Sequence, residues 1–192
     1  MSLDQLKSAF TTLNPMIGEE EWDFIAENSS VISLKRKANL FAEGQIQKHI
    51  GFINRGLIRE FFIDKDGNEN TVWFFQENSF VTDYSPFLRN SPTKNTFSCL
   101  EPTEVVLLPR EIVLQSYDKY PALDRFGRLI AERVLIQLQE RIDGFHFLSA
   151  EERYLKYINA YPDLFQRISL THLSTFLGIK RPSLSRIRKN LS

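Results

Sequence analysis

Five basic side chains, Lys180, Arg181, Arg186, Arg188 and Lys189, crowd one short stretch and are interleaved with Ser183 and Ser185. Arginine offers a planar fork that pairs bidentately with a guanine edge, lysine a point charge for phosphate, and serine a hydroxyl for either. Just upstream, Ser169, Thr171 and His172 open another segment with groups suited to backbone phosphate at a helix start. Such chemistry serves a polyanion, and the wider charge pattern agrees. Residues 164–192 contain six Lys+Arg and no acidic side chain, a net +6, whereas residues 1–163 carry 18 basic against 24 acidic groups, a net −6. The neutral whole hides a cationic end, for which nucleic acid is the usual partner. A solvated basic tail would share that charge, so the spacing has to decide.

The spacing predicts two helices, Leu170–Leu177 and Arg181–Asn190, joined by Gly178-Ile179. A helix-turn-helix needs a small residue where its helices touch, here Ser174, and a left-handed turn residue, here Gly178. Leu173, Leu177, Ile179, Leu184 and Ile187 fall where apolar groups close the angle between the helices. Pro182 suits the first turn of the second helix, where its missing N–H breaks no internal bond. The outward side of that helix then carries Arg181, Ser183, Ser185, Arg186, Arg188 and Lys189. Double-stranded DNA is the partner these positions fit.

Upstream elements must hold this reader in place. Leu3, Leu6, Phe10 and Leu13, then Trp22, Ile25 and Ala26 after an acidic start, read as N-terminal helices. From Val31 to Pro109 the period shortens to β-like runs at 31–34, 50–54, 57–63, 71–75, 96–100 and 104–108, with a hairpin at Asp66-Gly67-Asn68. Many short strands at this spacing predict a sandwich or jelly-roll barrel, with a short helix near Tyr84–Leu88. A long helix follows from about residue 122 to 147. Leu123, Phe126, Ile130, Val134, Leu138 and Ile142 make one apolar ridge, while Leu129, Leu135 and Ile136 add a second flank. Two flanks ask for two packing partners, the chain's own barrel and a twin helix in a homodimer, with Gly127 permitting close approach. Ser149 and Glu152 then form a capping box for a further helix that Pro162 stops.

At this point the chain resembles the Crp–Fnr transcriptional regulators. The run Gly178-Ile179-Lys180-Arg181-Pro182-Ser183-Leu184-Ser185-Arg186-Ile187 is similar to their recognition helix. Leu40-Phe41-Ala42-Glu43-Gly44 and Gly51-Phe52-Ile53-Asn54-Arg55-Gly56 look like early strands of their cyclic-nucleotide-binding-type barrel. The resemblance implies an α+β chain: an N-terminal jelly-roll sensor domain over 1–120, a dimerisation helix over 121–147 and a helix-turn-helix domain over 148–192. It further implies a homodimer on a two-fold symmetric operator, with Arg181 and Arg186 approaching base edges and RNA polymerase as a further partner. Pro182 stands where the family carries a glutamate, so the family's usual half-site does not carry over.

The family's cyclic-nucleotide binders hold phosphate with a Gly-Glu turn and an arginine some ten residues later. Thr82-Asp83 stands in the first place here and Asn95 roughly in the second, which removes the bidentate contact. Lys94 and Arg89 are the nearest substitutes. Cyclic nucleotide is therefore not the expected effector. A different small ligand near Trp73, Phe75, Asp83, Tyr84, Arg89, Lys94 and Asn95, or a filled core with solvated loop charges, both fit. Two other classes stand as alternatives: a cyclic-nucleotide module acting on a protein partner, and a cupin-type barrel enzyme. The second needs a histidine cluster for its metal, and His49 alone lies in the barrel region, so neither catalysis nor a metal is expected. Cys99, the single cysteine, lies between Phe97 and Leu100 and reads as core, and His146 as a hinge or cap. No apolar run reaches the ~18 residues of a membrane span, and no signal-peptide pattern opens the chain, so the cytoplasm is expected.

Overall fold

The computed structural model describes residues 2–191; Met1 and Ser192, the outer ends of the expected first and last domains, lie outside that range. It divides into two compact units: Met1–Glu60 with Phe74–Arg133, and Phe61–Trp73 with Val134–Ser192. The division differs from the expected 1–120, 121–147 and 148–192. It runs through the long helix, and a hairpin tip from mid-chain joins the C-terminal unit.

The first unit begins with α1 (Asp4–Leu13) and α2 (Glu19–Glu27). The strands are β1 (Ser30–Leu34), β2 (Asn39–Phe41), β3 (His49–Arg55), β4 (Ile58–Ile63), β5 (Glu69–Phe75), β6 (Phe80–Val81), β7 (Thr96–Cys99) and β8 (Thr103–Pro109). Between β6 and β7 lies α3 (Tyr84–Arg89), and β8 runs on into α4 (Arg110–Lys119) and α5 (Pro121–Phe147). The sheets run β1-β8-β3-β6 and β2-β7-β4-β5, the strand order of a jelly roll. β1 lies antiparallel to β8, from Ser30 opposite Leu107 to Leu34 opposite Thr103.

Side-chain alternation makes β3 and β8 serve two cores at once. Ile53 and Val105 join Phe41, Ile58, Val81, Phe97 and Cys99 inside the barrel. Phe52 and Val106, their neighbours along the strands, join Leu6, Phe10, Trp22, Ile25, Val113, Leu123 and Phe126 beneath the helices. Each such side chain contributes about 1.5–3 kcal/mol by leaving water, which is why these strands read as continuous apolar runs. Burial pushes the Cys99 thiol above its ordinary value, as a core position requires. Phe10 stacks on Phe126 with ring centroids 4.0 Å apart, tying α1 to α5.

The expected dimer ridge on α5 needs correction in its first half. Leu123 and Phe126 are 1% and 6% exposed and belong to the chain's own core, with Ile130 packed against it. Gly127 admits an internal neighbour rather than a second chain: a Cβ there would meet Tyr117 Cε1 at 2.6 Å. Further along α5 the apolar groups face solvent, with Leu135 67% and Leu138 48% exposed, Ile142 also exposed and Val134 half-buried.

The second unit adds α6 (Ala150–Ala160), α7 (Pro162–Arg167), α8 (Leu170–Leu177) and α9 (Arg181–Leu191). The Ser149 box starts α6: Glu152 N–H donates to Ser149 Oγ at 3.3 Å, and Ser149 N–H donates to Glu152 Oε2 at 2.8 Å. Pro162 does more than close α6, since its fixed φ opens α7 at the first position.

Candidate nucleic-acid interface

The turn between α8 and α9 is built by backbone geometry. Gly178 sits at φ +63° and its N–H donates to Thr175 O, while Ile179 N–H reaches back to Ser174 O at 2.9 Å. These two bonds form a Schellman closure, which satisfies carbonyls that the helix end would otherwise orphan. A Cβ at Gly178 would also approach Phe145 Cε1 at 2.8 Å, so the position is constrained twice. Two guanidiniums finish the cap. Arg141 Nη2 donates to Phe176 O at 2.9 Å and Arg153 Nε to Leu177 O at 3.1 Å, placing positive charge at the negative end of α8. Ser174 is buried, and its hydroxyl is turned inward to Thr171 O at 2.8 Å. Leu173, Leu177, Ile179 and Leu184 are buried with it, as the spacing requires.

With Leu184 inward, α9 turns its other side to solvent. Pro182, Ser185, Arg186 and Lys189 recur at three- and four-residue steps and are all exposed, flanked by exposed Lys180, Arg181 and Ser183. These cations and hydroxyls form one ridge about three turns long, the size of an element that enters a major groove. Arg188 departs from it. Its guanidinium stacks over the Phe165 ring at 4.9 Å and bonds towards Tyr154, so it braces α9 against α6 and α7. At the head of α8, Thr171 is exposed and Ser169 accepts the His172 N–H at 3.1 Å as N-cap. His172 is half-buried and lies further from the outer face than sequence spacing suggested.

A support that the sequence reading missed comes from the β4–β5 tip. Thr71 and Thr175 share a hydroxyl hydrogen bond of 2.8 Å, and Thr71 N–H donates to Thr175 Oγ1 at 3.2 Å. Trp73 meets Phe176 edge-on at 6.0 Å, and Arg141 lies 4.1 Å above that Phe176 ring. Trp73 is therefore packed against α8, not in the wall of a barrel pocket.

The other expected effector residues scatter as well. Phe75 packs with Phe97 in the barrel core, Tyr84 lines a cavity beneath the helices, and Arg89 and Lys94 stand exposed. Only Asp83 and Asn95 meet. Thr93 Oγ1 donates to Asp83 Oδ2 at 2.6 Å, and Asn95 Nδ2 reaches Glu60 Oε1 at 2.6 Å and Asp83 Oδ2 at 3.5 Å. Gln47 completes the cluster, its Oε1 accepting from Thr82 Oγ1 at 2.9 Å and from Asp83 N–H at 3.0 Å. Glu60 and Gln47 were missed because single polar residues in apolar runs carry no periodic signal. Two carboxylates around one amide disfavour a phosphate by like charge and cap the cluster internally. Among the described residues no group of three or more His, Cys, Asp or Glu is arranged to hold a metal ion, and no helix is long and apolar enough to cross a membrane.

Comparison with known proteins follows the same outline. The cyclic nucleotide-binding domain family matches residues 31–120. The c-di-GMP responsive global regulator CLP of Xanthomonas campestris superposes with a TM-score of 0.71 at 15% identity, covering 91% of each chain. FixK2 of Bradyrhizobium japonicum gives 0.73 at 13% identity, covering 85% of this chain and 84% of its own. A transcriptional regulator described as of the Crp/Fnr family, from Eubacterium rectale, gives 0.71 at 13% identity, covering 91% of this chain and 83% of its own. No curated protein matches the sequence. At these identities the likeness is one of fold.

Proposed function

We infer, from a fold like that of the Crp–Fnr regulators and a match of residues 31–120 to the cyclic nucleotide-binding domain family, that the chain is a homodimeric, sequence-specific DNA-binding transcription regulator. The observation that carries the reading is the exposed ridge of α9, in a segment of net +6 without one acidic side chain. Arg181 and Arg186 supply forks for base edges, Ser185 and Lys189 add a hydroxyl and a charge, and Lys180, Ser183, Ser169 and Thr171 contact backbone phosphates. His172 assists from its half-buried position, and Arg188 acts through α9's orientation rather than on a base.

Dimerisation follows from the second half of α5. Leu135, Leu138 and Ile142 are exposed at steps of three and four, the spacing of a coiled-coil seam, and a twin helix would remove them from water. Two readers so joined face a pseudo-palindromic site, half-sites about one helical turn apart. The barrel acts as the sensor, and the Glu60–Asn95–Asp83 cluster supports an effector other than a cyclic nucleotide. RNA polymerase contact is part of the same reading, and the cytoplasm is its compartment.

Selection of duplexes from a random pool by the purified protein tests this. A two-fold symmetric consensus is expected, with log affinity falling by about 0.9 per decade of salt for each phosphate neutralised. Enrichment of no sequence would defeat the reading. The matched family favours one second reading, a cyclic-nucleotide module; calorimetry with cAMP and cGMP decides, since micromolar binding would establish it against the carboxylate argument.

A further inference from the structure

Beneath the helices, on the side of sheet β1-β8-β3-β6 away from the barrel interior, lies a partly open apolar cavity of about 50 Å³. Its walls include Phe10, Ile50, Leu108 and Val113, and no Lys, Arg, Asp or Glu is among the lining residues. A neutral apolar occupant is what such walls accept. Two phenols interrupt the apolar surface: Tyr84 from α3 and Tyr117 from α4, both half-buried. Neither hydroxyl bonds to another group among the described residues. Burial first, then the neighbouring Tyr84 phenol, pushes Tyr117 up to about 12, so both hydroxyls stay protonated and able to donate at neutral pH. Neither hydroxyl is sealed from solvent, and each is free to donate to a ligand oxygen at the cavity wall, a neutral hydrogen bond worth about 0.5–1.5 kcal/mol net.

We propose that this cavity binds a small neutral amphiphile, an apolar body seated against Phe10, Ile50 and Val113 with one hydroxyl or carbonyl held between Tyr84 and Tyr117. The enclosed volume is about a third of the ~150 Å³ that accepts a benzene ring in an apolar cavity, so only part of the ligand is engulfed and the rest occupies the mouth beside Leu88, which is 47% exposed. Leu123, Phe126, Gly127 and Ile130 form the α5 wall at steps of three and four, so an occupant bears directly on the long helix. Tyr117 ties α4 to that wall, because its ring fills the notch at Gly127.

The probe is 4-fluorophenol, titrated into the full-length protein and followed by fluorine NMR. Saturable one-site binding is expected. Leu88→Trp, a change at an exposed position that closes the mouth, abolishes it; the double variant Tyr84→Phe, Tyr117→Phe weakens it by about fivefold per hydroxyl. Unfolding curves of each variant keep loss of binding distinct from loss of fold. Absence of saturation up to about 10 mM, survival of binding in Leu88→Trp, or an unchanged constant in the double variant each overturns the proposal. The readout involves no DNA, so it stands apart from the function proposed above.

Discussion

The two polar clusters of this chain spend their hydrogen-bonding groups in opposite ways. Around Asn95, Gln47 Oε1, Glu60, Asp83 and Thr93 are engaged within the cluster at 2.6 to 3.5 Å, and among the described residues Gln47 Nε2 alone is buried there without a partner. On α9, Arg181, Ser185, Arg186 and Lys189 stand exposed, while the groups that could compete for them, the carbonyls ending α8, are already capped by Arg141 and Arg153. A cluster whose groups mostly satisfy one another rigidifies a fold; one whose neighbours are satisfied elsewhere is left available for a partner. The contrast separates structure from recognition better than residue type does, since both clusters are rich in polar side chains.

The largest break of that contrast removes the scaffold under the ridge. Leu184 is 0% exposed, and Leu184→Ala is expected to cost about 2–5 kcal/mol, seen as a lowered urea midpoint together with loss of binding to the selected duplex. Arg186→Ala leaves the scaffold intact and is expected to cost about 1–3 kcal/mol of DNA affinity, with preference relaxed at one base position in a repeated selection. Full retention of sequence preference would remove Arg186 from the base-reading set. On the other side, Asp83→Ala strips the acceptor from Thr93 and is expected to destabilise by about 1–3 kcal/mol while DNA affinity moves less than about twofold.

The smallest effect sits at the head of α6. Ser149→Ala is expected to cost about 1 kcal/mol in thermal unfolding. Hydrogen bonds from Ser149, side chain first and then backbone, hold Glu152 below its ordinary 4.5. A folded-state value depressed in this way gives stability that is present above 4.5 and lost as the pH falls through the folded value. Stability curves of the wild type and Ser149→Ala should therefore converge on acidification below that window. Parallel curves would show that the box does not operate.

What the sequence disclosed follows from how locally each feature is encoded. The turn at Gly178, the cap at Ser149 and the ridge of α9 each need a residue type at a fixed short offset, so spacing alone located them. The jelly roll was legible as strand-length apolar runs, although β2 and β6, three and two residues long, left too short a pattern to stand out. Helix α4 escaped despite Val113 and Ser116 recurring at a helical step, because the strand β8 flows into it without a turn signal. The α5 ridge failed differently. Periodicity identified an apolar face running from Leu123 to Ile142, but nothing in one strand of sequence tells which half of a continuous face is covered by the chain itself. The effector residues scattered because β5 gives Phe75 to the barrel core and Trp73 to Phe176 of α8 within two positions.

The Thr71–Thr175 bond joins residues 104 positions apart, and Trp73 walls Phe176 in the same unit. The C-terminal helices are consequently not a portable appendage. A fragment beginning at the long helix would keep Thr175 and Phe176 but leave behind the strand tip that shelters them, baring an aromatic surface while the Thr175 hydroxyl kept only its bond to His172 O. Moving the C-terminal helices onto another chain thus asks for a matched graft of the hairpin, since Thr71 and Trp73 travel with a different stretch of sequence from the helices they support.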